Sequence, residues 1–351
     1  MSIRVIDKDF NLIAEFDSHE SFQHTRKFQS AGSFDLNLKR NDENYKYLQR
    51  ENIIIYNNDP NLSGVIEHRE VQGDFKNDSL PVKGCSLSGL LHRRVISPDA
   101  SNLYMAFSGK QETIMKNFVD KNCINPTNKD RVIDNLVIAQ DLKRGKDDNW
   151  RSAYDALDLK LEEIAKYANF GWDVKLDLEK KKFVFDISEG RDLTIDQNTL
   201  PPVVFSAKFD NIKSRHYTES DINTCNSVYI GEKETEGKAV LNYGTGKGFE
   251  RREQFQSFSG TVDEIKKESE KVLEELKTLK TFELEVEPEV NFIYKVDYDL
   301  GDTVTLQDNT LGITMNSRIL AITETYVKGQ MTLQITFDKL IPNLMDKLKR
   351  L

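Results

Sequence analysis

Cysteine is scarce: Cys85, Cys123 and Cys225 are the three in 351 residues. An odd number spaced so widely makes neither a disulfide framework nor a metal knuckle, and it is compatible with a reducing compartment. Histidine is sparse too. His19, His24, His68, His92 and His216 never form H-E-x-x-H and never pair at short helical spacing, so no catalytic zinc site is expected. No window is apolar for the length that crosses a bilayer. The first sixteen residues hold no apolar secretion segment, because Asp7, Lys8 and Asp9 interrupt them. The expectation is a chain made in a cytoplasm without a signal peptide. Positive charge is the minority: 49 Lys and Arg face 58 Asp and Glu, a net charge of −9. The basic tracts, Lys180–Lys182 and Lys347–Arg350, are short and read as solvated surface. That balance argues against a primary binder of nucleic acid or anionic membrane.

With 38% hydrophobic and 30% charged residues the composition is that of an ordinary globular protein, long enough for two to four domains. Strand patterns dominate both ends. Between Tyr294 and Phe337, Val304 and Leu306 alternate with Thr303 and Thr305, and the apolar residues Ile319 and Ala321, then Leu333, Ile335 and Phe337 against Thr332, Gln334 and Thr336, repeat the pattern. Asp308-Asn309 and Lys328-Gly329 supply turns, so this stretch reads as a meander of half-buried strands that needs closure or a second layer. Near the N-terminus, Ile3 to Ile13 reads as a hairpin. Phe34, Leu36 and Leu38 alternate, and Asn52–Tyr56, Leu62–Val71 and Leu80–Cys85 follow as further strands.

The middle changes character near Ser97-Pro98. Ile114, Met115, Phe118 and Val119 have helical spacing, ended by Asn125-Pro126. A stronger helix is expected from Trp150 to Ala168, with Asn149 as N-cap and Gly171 as its stop. Two alternating strands then run through Trp172–Leu178 and Phe183–Ile187. Strands are expected around Val203–Phe205 and Ser227–Ile230. Thr261 and Glu264 have capping-box spacing and open a helix to about Lys280. The fold class is α+β and mainly β.

Several segments imitate catalytic or ligand-binding motifs without completing them. Gly84-Cys85-Ser86-Leu87-Ser88 has serine where a nucleophile elbow needs its second glycine. Gly244 to Gly248 lacks the P-loop's first glycine, Leu241 standing there, and its Ser or Thr. Asp297, Asp299, Asp302 and Asp308 miss the glycine and glutamate of an EF-hand. Glu189 and Asp192 are a carboxylate pair of the kind that cleaves glycosides, but proximity in sequence says nothing of separation across a sugar. No catalytic, cofactor or metal residue is assigned.

Three motifs in order carry a resemblance. Gly84 to Ile96 reads G-C-S-L-S-G-L-L-H-R-R-V-I, after strands carrying A-G-S-F at Ala31 and G-V-I-E at Gly64. Glu189 to Thr194 reads E-G-R-D-L-T. Tyr298 to Val304 reads Y-D-L-G-D-T-V, followed by Leu311-Gly312-Ile313. The chain resembles the siphophage tail hub family, similar in fold to the baseplate hub of contractile tails. Cys85 departs from that pattern, where an arginine is common. The matching positions are Ser86, Gly89, Leu90, Leu91, Arg93 and Arg94 in the first motif. In the later two they are Gly190, Arg191, Asp192 and Thr194, then Leu300, Gly301, Asp302, Val304 and Gly312.

The resemblance implies two tail-tube-like antiparallel β-barrels with an inserted α/β domain. Residues 1–96 would form the first barrel, 97–200 the insertion, 201–258 the return to the first barrel, and 259–351 a helix and the second barrel. It implies a non-enzymatic homotrimer at the virion tail tip, bound to the distal tail protein, the tape-measure protein and tail-tip or receptor-binding proteins. DNA would pass through its lumen without specific binding, and no membrane or cofactor is involved. The alternatives are a tail-tip hydrolase of cell wall or polysaccharide and a receptor-binding module. Because lytic activity in the family usually resides in an appended domain, and this sequence ends soon after the last strands, the structural role is preferred.

Overall fold

The computed structural model describes residues 2–17, 19–39, 43–73, 79–232 and 240–338. The tract Lys347–Arg350 lies outside them. The chain divides into two compact units, Met1–Ser214 with Leu284–Thr336, and Arg215–Glu283 with Phe337–Leu351.

The first unit opens with the expected hairpin, Ile3–Ile6 (β1) against Leu12–Phe16 (β2). Its turn is set by Asp7, whose Oδ1 accepts from the backbone N–H groups of Asp9 and Asn11, each at 2.9 Å. Strands Ser21–Lys27 (β3), Ser33–Lys39 (β4), Ile53–Tyr56 (β5), Ser63–Arg69 (β6) and Ser79–Ser86 (β7) follow. Period two puts Phe34, Leu36 and Leu38 on one face, all buried, whereas every residue of β5 is buried. Ile3, Val5, Phe22, Leu36, Ile54, Tyr56, Val82 and Tyr326 share one apolar core. Phe22 stacks on Tyr56 there, with ring centroids 4.1 Å apart.

The middle of the chain adds Met105–Lys110 (β8), Gln111–Val119 (α1), Leu136–Ile138 (β9), Asp147–Ser152 (β10), Leu157–Ala168 (α2), Gly171–Asp177 (β11) and Lys182–Ser188 (β12). The helix expected from Trp150 is shorter than its pattern. Trp150 sits in β10, which pairs with β8, and the spacing of Trp150, Ala153 and Tyr154 merely mimics a helix. Tyr154, with φ of 62°, breaks the strand before α2 begins, so Asn149 caps nothing. The stop is Asn169 in the left-handed conformation; Gly171 instead opens β11. Ile114, Phe118, Leu161, Trp172 and Phe185 pack in one core with Ile6, Ile53 and Val65, so this segment and the N-terminal strands bury a common apolar face.

Asp192–Leu193 (β13) and Val204–Ser206 (β14) come next, and Ile212–Ser220 (β15) leads the chain out of the first unit after Ser214. In the second unit Ser227–Gly231 (β16), read from the sequence as a return to the first barrel, pairs antiparallel with Leu241–Gly244 (β17) and parallel with Glu253–Ser257 (β18). Val262–Glu275 (α3) carries the capping box expected of Thr261 and Glu264. Its Val272 joins Cys225, Val228 and Ile230 in a small core. The helix stops five residues short of Lys280, because Leu279–Val286 (β19) is a strand in which Phe282, Leu284 and Val286 alternate.

β19 leads the chain back at Leu284, and Thr303–Asp308 (β20), Ile313–Val327 (β21) and Gln330–Asp338 (β22) complete it. Lys328 and Gly329, both with positive φ, make the β21–β22 turn as expected. Within the first unit the strand order is β22-β21-β3-β4-β7-β6-β5-β1-β2. β20 pairs with the start of β21 and, in parallel, with β13 and β14. Here the structure departs from the expected pair of separate closed barrels. Among the described residues no closed ring of strands is found; β21 pairs with β20 at one end and with N-terminal β3 at the other. The result is a mainly β protein in which strands from both ends of the chain share one open sheet.

Candidate functional site

Two of the three motifs meet in the first unit although more than one hundred positions separate them in sequence. β13 lies parallel to β20, Asp192 opposite Thr303 and Leu193 opposite Val304. At their start the Asp302 carboxylate accepts from the Arg191 backbone N–H at 2.8 Å, from Arg191 Nη2 at 2.6 Å and Nε at 3.1 Å, and from the Asp299 N–H at 2.9 Å. Asp302 is buried and Arg191 is 44% exposed at its side chain. The hydrogen bonds to Asp302 hold the Arg191 guanidinium further toward its charged form.

Glycine is required on both sides of this clamp. Gly190 has φ of 72°, and a Cβ there would stand 2.0 Å from the Gly301 carbonyl oxygen; a Cβ on Gly301 would meet the Phe28 ring at 2.3 Å. Arg318 of β21 donates to the carbonyls of Glu189 and Gly301 and lies over the same ring, 5.1 Å from its centroid. Gly190→Ala is therefore expected to cost about 2 kcal/mol or more through strain at positive φ, read as a lowered urea midpoint with an unchanged slope. Thr194 is buried, its N–H bound to Asp192 Oδ1 at 3.0 Å. Val304 is buried, Leu300 half-buried, and Gly312, with φ of 65°, stands in the open β20–β21 turn.

The Gly89–Arg94 motif forms a different corner. Leu87–Arg93 is a 3-10 helix after β7. Gly89 lies against Cys85, where a Cβ would meet Sγ at 2.4 Å. Leu91 is fully buried and Leu90 packs on the core of the middle segment. Arg93 bridges Glu51 and Glu67. Arg94 Nε donates to the Arg131 carbonyl at 2.8 Å, and its own carbonyl accepts from Leu157 N, anchoring the start of α2. Gly312 apart, the matching positions thus gather at one clamp and one corner.

Several of the motif mimics are tied into buried contacts and turns. Burial pushes the Cys85 thiol up to about 12. Ser86 Oγ accepts from the Gly32 N–H, and Ser88 donates to Asp173. Asp297 Oδ2 caps Ile293 N at 2.7 Å and Asp308 Oδ1 accepts from Thr310 and Leu311, so these carboxylates order turns. Among the described residues no group of three or more His, Cys, Asp or Glu is placed to hold a metal.

One cluster escaped the sequence reading. Glu324, fully enclosed in β21, accepts from Tyr294 Oη at 2.9 Å and Tyr326 Oη at 2.6 Å and pairs with Lys295 Nζ at 3.1 Å. The alternation that buries Ile319 and Ala321 would turn Glu324 outward. Ile322 is buried as well, and the strand changes phase there as its partner changes from β20 to β3. The adjacent apolar pair Ala321-Ile322 is the signal that could have shown it.

The model of a family described as Siphovirus ReqiPepy6 Gp37-like protein matches residues 2–338. No curated protein matches. The fold is similar to that of the tail protein from Neisseria meningitidis MC58, 15% identical, with 96% of each chain covered and a TM-score of 0.63. The 43 kDa tail protein of prophage MuSo2 from Shewanella oneidensis is 12% identical, with 97% of this chain and 98% of that one covered and a TM-score of 0.65. Prophage tail protein gp18 from Listeria monocytogenes EGD-e is also 12% identical, covered over 99% of this chain and 98% of that one, with a TM-score of 0.55.

Proposed function

This chain belongs to the Siphovirus ReqiPepy6 Gp37-like family of phage tail proteins, and on that premise we propose that it is the hub of the tail tip. Three copies would form a ring that adapts the tail tube to the tip and leaves a channel for DNA. The observation that carries the reading is the fold likeness to tail proteins over 96–99% of this chain. The open sheet agrees with it. An unpaired strand edge is a liability in a monomer and an asset in a ring, where a neighbouring copy covers it. Closure of the β modules would then be completed between subunits, with the Gly190–Asp302 clamp and the Gly89–Arg94 corner holding each subunit's shape. The divisions at 96/97, 200/201 and 258/259 belong to the same proposal. Three copies carry 3 × (−9) = −27 charges, from the net −9 of one chain, and acidic lumen walls would let DNA pass without adhering.

Its partners would be the distal tail protein, the tape-measure protein and the tail-tip or receptor-binding proteins, and its place the virion tail. No helix among the described residues is long and apolar enough to cross a membrane. Co-expression with the distal tail and tape-measure proteins, followed by native mass spectrometry, should give a species containing three chains of 40.5 kDa. A single copy per complex, with both partners present, would overturn the ring.

A further inference from the structure

Beneath β3, in the first unit, lies a small polar cavity of about 20 Å³, lined among others by His24, Arg26, Ser63, Ser86, Asp173 and Leu300. Its volume suits a single water-sized guest. Two of its lining side chains carry buried atoms without a hydrogen-bond partner, His24 Nδ1 and Arg26 Nε. His24 is 1% exposed. The two residues stand two apart on β3 and so share a face.

The chemistry of the guest follows from which atom donates. His24 Nε2 lies 3.4 Å from the Ser63 carbonyl oxygen, which only accepts, so the ring proton belongs on Nε2 and Nδ1 is left as a lone pair. Arg26 Nε is always a donor, and its guanidinium is further held by Asp299 and Tyr294. One guest that satisfies both must donate to nitrogen on one side and accept from N–H on the other. A halide cannot donate, and a metal cation or ammonium cannot accept.

We propose that this cavity is a structural site for one water molecule, which donates to His24 Nδ1 and accepts from Arg26 Nε. The water bridges the two β3 side chains, in a cavity also lined by Ser86–Ser88 of the corner that follows β7 and by Leu300. An unpaired buried polar group costs more than a made hydrogen bond returns, so occupancy by the water is favoured. Burial above all favours the neutral ring this requires. Burial, then the Arg26 charge and more weakly Lys295, push His24 down to about 4 against the opposing pull of Glu324. Lys27, Lys175 and Asp173 also line the cavity.

The test uses the full chain. A crystal structure at neutral pH and better than about 1.5 Å resolution should show one ordered water within hydrogen-bond range, roughly 2.7–3.2 Å, of both nitrogens. A crystal soaked in sodium bromide should show no anomalous peak there. Independently, nitrogen NMR of histidine-labelled protein in solution should report a neutral His24 protonated on Nε2. A dry cavity, a bromide peak at the site, or a ring protonated on Nδ1 would each overturn the assignment.

Discussion

Replacing Glu112 by glutamine is expected to cost the protein about 3–5 kcal/mol, the penalty for breaking a buried ion pair from one side. Glu112 has no exposed surface. Its carboxylate accepts from Lys116 Nζ at 2.7 Å, from Arg144 Nε at 2.9 Å and Nη2 at 3.0 Å, and from the backbone N–H groups of Arg144 and Leu142 at 2.9 and 3.3 Å. One side chain of α1 thereby holds the connection between β9 and β10. Glutamine keeps the volume but loses the charge and presents an NH2 group to one of the cations. Lys116, almost fully buried, would then be left with the Gln140 carbonyl and the more distant Asp186.

Urea unfolding should show the loss as a lower midpoint at constant slope, and a thermal scan as a drop of roughly 10 °C, at about 2–4 °C per kcal/mol for a unit of this size. The paired change Glu112→Gln with Lys116→Met should recover part of it, because no buried cation is then stranded. A loss below about 1 kcal/mol for the single variant would mean that the cluster is not what fixes this connection. The pH dependence has a definite sign. Burial alone would raise the Glu112 carboxyl, but the bonds from Arg144 and Lys116 outweigh it and bring it down to about 2, from an ordinary 4.5. The folded carboxylate therefore binds its proton later than the unfolded one. Its contribution is complete above pH 4.5 and is lost as the pH falls through about 2; in the glutamine variant that slope should flatten.

Asp302→Ala is expected to be comparably damaging, again about 3–5 kcal/mol, with a gradation that identifies the cause. Alanine strands the Arg191 and Asp299 N–H groups and takes the carboxylate from the guanidinium, which keeps the Val296 and Asp297 carbonyls. Asp302→Asn keeps one carbonyl acceptor and should fall between alanine and the native protein. Arg191→Lys should cost about 1–2 kcal/mol, because the arginine is half exposed and a lysine forfeits the bidentate geometry but not the charge. Hydrogen exchange should localise the effect: amides 191–193 and 303–304, where β13 lies against β20, should lose protection together. If Asp302→Ala left their exchange unchanged, the clamp would not be what joins the two motifs.

Much of the fold was legible where one physical rule governed. Asp7 and Lys328-Gly329 set turns through local chemistry, the Thr261–Glu264 box needed its own four residues, and Phe34, Leu36 and Leu38 alternate because one face of β4 meets a core. The reading failed where long-range pairing overrode the local pattern. Trp150 is spaced like a helix residue but lies in a strand because β8 is there to receive it. Leu279 falls within the helix expected to run to about Lys280, but it starts β19. Of the candidate positions, Gly190 and Gly301 could be seen as motif glycines, but what their missing side chains make room for, a carbonyl and the Phe28 ring, depends on the folded backbone. The Glu324 cluster was hidden by a change of strand phase.

The pairing of β21 with β3 has a consequence for how the protein is made. Gln23 and Thr325, whose side chains are hydrogen-bonded, are 302 positions apart. At bacterial synthesis rates of about 5–20 residues per second, β3 would leave the ribosome roughly 15–60 s before its second neighbour exists. During that interval the nascent sheet carries one satisfied and one open side at β3. Each emerging chain is thus exposed, early in its life, to adhesion with its siblings on the same polysome, and the arrival of β21 ends that hazard.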